Sequence, residues 1–177
     1  AANYLKDVRR TFGNYTLHDE THILNVLEAM GGLLGNQITN LSVGELELLI
    51  LAASLHDIGM VYTDKEKAEQ YEDTETCKKF LREYYPEFLG STVLNNKAWR
   101  ELIHDKRPLK VAPLSCIIEV CKAHGYNLSD MINNSNLEDL SAADVSPLFC
   151  ALLLRLADLL DFDDTRAPEV LYSYVEC

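Results

Sequence analysis

Apolar positions recur at helical intervals along almost the whole chain, and this periodicity predicts an all-α protein. In "HILNVLEAMGGLLG", Ile23, Val26, Leu27, Met30, Leu33 and Leu34 fall on one helical face. Gly35 and Asn36, which accept left-handed backbone, close that helix. Ser42 with Glu45 three residues on makes a capping-box pattern that opens a second helix, "ELELLILAASLHD", stopping near Gly59. Residues 63–85 are charged and read as a more exposed helical segment interrupted by Pro86, and "NNKAWRELIHD" reads as a short helix ended before Pro108. "PLSCIIEVCKAHG" has Pro113 where a first-turn proline belongs and Gly125 where a C-cap glycine belongs. The polar stretch 127–145, rich in Asn, Ser and Asp, reads as a loop with room for a turn of helix. Ser146 and Pro147 start the most apolar helix, "PLFCALLLRLADLLDF", and the tail "VLYSYVEC" suits a short β segment.

Two of these apolar helices carry charge where a core should have none. The second ends in His56 and Asp57. The last carries Arg155, Asp158 and Asp161, spaced three apart and therefore on a shared face, with apolar residues on every side. An ionised carboxylate is costly to bury without a partner. An Arg155–Asp ion pair accounts for one of the two last-helix carboxylates and leaves the other unexplained. His22 lies at the same azimuth as Val26 and so faces or borders the core. Three buried helices that each turn a His or Asp inward share one simple remedy, a divalent cation. Imidazoles with carboxylates suit Mn, Fe, Co, Ni or Zn, and Mg where water fills most of the shell.

Composition narrows the partners. Asp and Glu outnumber Lys and Arg by 28 to 16, a net charge of −12, which argues against a general nucleic-acid or anionic-membrane surface. The small basic cluster Lys106, Arg107 and Lys110 reads first as solvated surface, then as phosphate recruitment. The five cysteines are odd in number and lack C-x-x-C spacing; Cys116, Cys121 and Cys150 lie in apolar runs, as expected of buried thiols in a reducing cytoplasm. No apolar run reaches the ~18 residues of a membrane helix. The chain starts "AAN" and ends mid-pattern at "VLYSYVEC", so it is expected to be one domain, residues 1–177, taken from a longer protein.

In order and spacing, these elements resemble the HD-domain metal-dependent phosphohydrolases. "HDETHILNVL" is similar to the family's first metal helix, "LAASLHDIGMV" to its His-Asp doublet, and "LLLRLADLLDFDDTR" to its last metal helix. The likeness covers roughly residues 15–166, and "YTLHDETHILNVL" with "SVGELELLILAASLHDIGM" reads most like the branch associated with heat-shock-protein-90-type ATPases. The resemblance implies an all-α HD-domain helical bundle open on one side, with His22, His56, Asp57 and Asp158 on a divalent ion, Mn or Mg before the others. It implies hydrolysis of a small phosphorylated substrate, a nucleotide before other phosphoesters, by metal-activated water, with Asp57 and His124 in catalytic roles. The alternative reading is a regulatory HD module that binds metal and nucleotide as a sensor for another domain, such as an ATPase.

The same resemblance brings in His18, His104 and Arg166, each with an ordinary reading beside it, and adds a role for His124. His18, four residues before His22, is placed near substrate or in a structural hydrogen bond. His104 and His124 line a phosphate or second-metal subsite, although His104 beside "DKR" equally suits solvent. Arg166, after the acidic "DFDD" run, binds phosphate or pairs with Asp163 or Asp164.

Overall fold

The computed structural model describes residues 20–58, 101, 112–140 and 144–161, and these form an all-α bundle. The helices among them are α1 (Glu20–Leu34), α2 (Val43–Leu55), α3 (Leu114–Ala123), α4 (Leu128–Ile132), α5 (Ser135–Asp139) and α6 (Pro147–Leu160). The charged segment 63–85, the helix expected near His104, the basic cluster and the C-terminal β segment all lie outside the described residues, as do Cys77 and Cys177. None of the described helices is long and apolar enough to cross a membrane.

The helices start and stop where local chemistry tells them to. Gly35 takes φ +51°, the left-handed conformation that glycine reaches without a Cβ clash, and α1 ends there. The chain then continues as a 3-10 turn, Gly35–Asn40. The capping box at Ser42 is complete: Glu45 N–H donates to Ser42 Oγ at 3.0 Å, and Ser42 N–H donates to Glu45 Oε2 at 3.0 Å. Glu45 also reaches across the bundle, where its Oε1 accepts from Ser146 N–H at 3.2 Å. One carboxylate thus satisfies the N-cap amides of both α2 and α6 and fixes where the two helices begin relative to each other. Glu45→Ala is expected to cost about 1–2 kcal/mol by leaving both amides unmet, read as a melting temperature lower by roughly 2–8 °C. Glu45→Gln, which keeps one acceptor oxygen, should fall between. Equal melts for Ala and wild type would remove Glu45 from this role.

The core runs through the middle of the bundle. Val26, Met30, Leu48, Ala52, Ile117, Val120, Cys121, Ala151 and Leu154 are buried together. Through it α6 packs against α1, α2 and α3, while α2 packs against α1 and α3. Glu47 is buried too, and its Oε2 accepts from Ala112 N–H at 2.7 Å, which ties the segment entering α3 to α2.

Four expectations need correction. Leu33 does not share the buried face of α1; it is 43% exposed. Pro113 is the N-cap of α3, one position before its first turn; Gly125 stands directly after the C-cap His124, as expected, but without a positive φ. The polar stretch after it folds into α4 and α5 because its asparagines serve as caps: Asn127 accepts from Asp130 N–H and Asn134 from Asn136 N–H, while Met131 and Leu137 anchor the turns in the core. Finally, α6 is not buried all round, since Leu156, Leu159 and Leu160 are exposed near its C-terminus.

Candidate metal centre

α1, α2 and α6 bring their inward polar residues to one point. His22 comes from the first turns of α1, His56 is the C-cap of α2 with Asp57 following, and Asp158 lies in the last turn of α6. His22 Nε2 stands 3.0 Å from His56 Nε2, 3.1 Å from Asp57 Oδ2 and 3.4 Å from Asp158 Oδ1. His56 Nε2 is 3.0 Å from Asp57 Oδ2 and 3.7 Å from Asp158 Oδ1. α3 adds His124 at its C-cap, with Nε2 3.9 Å from Asp57 Oδ1. The His56 ring is central, 5.1 Å from the His22 ring and 5.0 Å from that of His124.

The hydrogen bonds on the outer side of each ring settle what the inner side can do. His22 Nδ1 donates to Asp161 Oδ2 at 2.6 Å, His56 Nδ1 to the Ala53 carbonyl at 3.0 Å, and His124 Nδ1 to the Cys121 carbonyl. A carboxylate and two carbonyls can only accept, so each Nδ1 carries the hydrogen and each neutral ring presents an Nε2 lone pair. With all three rings neutral, the centre is a set of lone pairs from three imidazoles and two carboxylates, aimed at one another. Such a set repels itself unless a cation sits within it. Ligand atoms about 2.1 Å from one ion lie roughly 3.0–3.4 Å apart, which the three spacings around His22 Nε2 match, while His56 Nε2 and Asp158 Oδ1 stand slightly wider. Two overlapping groups, His22–His56–Asp158 and His56–Asp57–His124, have donor spacing suited to a metal ion, and the nitrogen–oxygen donor set fits a divalent transition metal.

In the ion-free chain a proton does part of that work. Burial resists a charge on His56, but the Asp57 and Asp158 carboxylates overcome it and raise the imidazole to about 10. Burial also pushes Asp158 up, yet the hydrogen bond and charge of His56 outweigh it and hold the carboxyl below its usual range, against repulsion from Asp57. Burial lowers His124 and the neighbouring His56 lowers it further, against Asp57 and Asp158, so its ring is neutral. The buried thiols take no part: burial pushes Cys116 to about 11, Cys150 to about 12 and Cys121, which also feels Asp57, higher still.

The centre opens on one side. His22 and His56 are almost fully buried, whereas the side chains of Asp158 and His124 are 27% and 12% exposed. The open side therefore lies past these two residues. Of the other singled-out positions, His18, His104 and Arg166 lie outside the described residues.

Two features escaped sequence reasoning. Arg155 takes no aspartate among the described residues; its Nη1 donates to the His124 carbonyl, so it steadies the backbone under that imidazole. Asp161, the carboxylate left unexplained, is the acceptor that orients His22, and its Oδ1 accepts in turn from Asn25 Nδ2 at 2.7 Å. Asn25 is three residues after His22 on α1, which was a readable signal; its meeting with Asp161 depends on how α1 crosses α6. Asp161→Asn supplies one acceptor oxygen for two donors. If that oxygen serves Asn25, the amide NH2 faces His22 and favours the wrong tautomer. Metal affinity is expected to fall about 10–100-fold with the fold intact, measured by competition with a chromogenic chelator. Unchanged affinity would strip Asp161 of its orienting role.

The HD-CE family model matches residues 12–176 of the chain, which supports an HD-type domain. No curated protein and no solved structure gives a significant match.

Proposed function

This chain belongs to the HD-CE family, and on that footing we propose that it is a metal-dependent phosphohydrolase acting on a nucleotide or another small phosphoester. The observation that carries the reading is the convergence of Nε2 of His22, His56 and His124 on the carboxylates of Asp57 and Asp158 within a largely buried centre, with the Nδ1 hydrogens of all three rings pointing outward.

His22, His56, Asp57 and Asp158 would hold a divalent ion, with Mn or Mg favoured. Asp161 and the Ala53 carbonyl fix the two imidazoles so that neither must reorient on binding. The ion supplies Lewis acidity to phosphoryl oxygens and makes water a better nucleophile at neutral pH. Asp57 presents Oδ2 to His22 and His56 and Oδ1 toward His124, so its two oxygens face different groups. His124, neutral and with Nδ1–H committed to Cys121, offers Nε2 as a lone pair at the more open edge. That favours proton acceptance or ligation over donating a hydrogen bond to phosphate. A small phosphorylated substrate, an ATPase partner of the heat-shock-protein-90 kind and a cytoplasmic setting belong to the same proposal.

A panel of nucleotides and phosphoesters with Mn, Mg, Co, Ni, Zn or Fe tests it, read by phosphate release and product mass. Metal-dependent turnover that chelator abolishes is the expected result. Tight metal binding with no turnover across the panel would overturn the enzyme and leave the regulatory module.

A further inference from the structure

The backbone of His124 joins the candidate metal centre to an open cavity of about 490 Å³, lined by Gly125, Tyr126, Asn127, Asp130 and Arg155. The link is physical, because Arg155 Nη1 donates to the His124 carbonyl while the His124 ring faces Asp57. We propose that this cavity receives the nucleobase of a nucleotide whose phosphate lies at the centre. The proposal rests on the nucleotide reading above and adds to it a recognition site for the base.

The volume comes first. A cavity of about 490 Å³ falls in the range that small organic ligands occupy, and is more than a lone phosphate needs. Charge comes second. Arg155 and Asp130 line the same space with opposite signs, so a bare polyphosphate would gain at one and lose at the other. A neutral ring whose edge both donates and accepts loses at neither: Asp130 only accepts, Arg155 only donates, and Asn127 does both. Shape comes third. The Tyr126 phenol and the Arg155 guanidinium are both flat, and nucleobases stack on both kinds of plane.

The lining is also set in advance. Tyr126 is half-buried and packs against the core. Asn127 Nδ2 donates to Asp130 Oδ2 at 2.5 Å, and the Asp130 backbone N–H donates to Asn127 Oδ1 at 2.9 Å, so the Asn127 amide is held at both ends and the Asp130 carboxylate at one oxygen. Arg155 has one N–H on the His124 carbonyl and no carboxylate partner among the described residues, which leaves further donors for a ligand. Groups fixed before binding lose less freedom when a ligand arrives.

The test uses the full chain in the presence of chelator, so neither metal nor turnover enters it. Adenosine, guanosine, cytidine, uridine and ribose are each titrated while backbone amides are followed by NMR. At least one nucleoside is expected to give saturable shifts at Gly125, Tyr126 and Asp130, and the exposed-site variant Asp130→Ala should weaken that binding about tenfold while keeping the rest of the spectrum. Three results would overturn the proposal: no saturable shift with any nucleoside, the same shifts from ribose alone, or full binding by Asp130→Ala. Absent metal uptake or absent hydrolysis would sink the previous reading instead, and is measured separately.

Discussion

Excess chelator is expected to lower the melting temperature of the metal-loaded protein by roughly 5–10 °C. A ligand that binds only the folded state at a hundred times its dissociation constant stabilises it by about 2.7 kcal/mol. For a chain of this size each kcal/mol shifts the melt by roughly 2–4 °C. The folded state is the one that binds, because the donors come from α1, α2, α3 and α6 and meet only when those helices pack. The gain should also depend on pH, and its sign follows from His56. In the ion-free chain that imidazole is raised to about 10, so near neutrality an incoming ion must displace its proton. Metal affinity therefore weakens as pH falls, by about tenfold per unit below that value. Melts with and without chelator at two pH values check both claims. An unchanged melt together with no metal by elemental analysis would remove the ion from this centre.

Local signals in the sequence were legible because they act over three or four residues. Ser42 with Glu45 and the glycine at 35 each specify a helix end without help from the rest of the fold. The polar residues of the centre were legible for a different reason: His22, His56 and Asp57 interrupt apolar helices, and an interruption of that kind needs a cause, while the choice of Asp158 in the last helix came from the family resemblance. What stayed hidden depends on crossings between helices. Asp161 looked equivalent to Asp158 from spacing alone, and only the packing of α6 on α1 turns one toward the inner face of His22 and the other toward its outer face. Arg155 invited a carboxylate partner because a sequence displays charges and not carbonyls, yet its partner is the backbone of His124. The stretch after Gly125 misled through composition. Asparagines that look like loop formers are N-caps here, and Met131 and Leu137 alone supply the burial that holds two short helices down.

Asp57→Ala is expected to reduce turnover on the best substrate roughly a thousandfold or more while leaving the helical content nearly intact. The two halves of that expectation have separate causes. Asp57 follows the end of α2, whose last residue is Leu55 and whose C-cap is His56, so its side chain supports no helical turn. Its buried oxygens face His22 and His56 on one side and His124 on the other, which is where a cation would lie. Removing the carboxylate takes a negative charge from the group that would hold the ion and leaves the inner faces of three imidazoles with only Asp158 beside them, since Asp161 lies on the outer side of His22. Losses of 10²–10³ follow the removal of a single neutral transition-state donor, and losing a charged ligand together with the ion's grip should reach at least the upper end. A cavity and an uncompensated His56 proton could also lower stability, so Asp57→Asn, of nearly equal volume, is measured alongside. Both variants should show wild-type far-ultraviolet circular dichroism, and both should lose turnover and metal. Wild-type turnover in Asp57→Asn would mean that the chemistry is elsewhere on the chain. Lost turnover with undiminished metal content would instead confine Asp57 to substrate or proton handling, with His22, His56 and Asp158 sufficient to hold the ion.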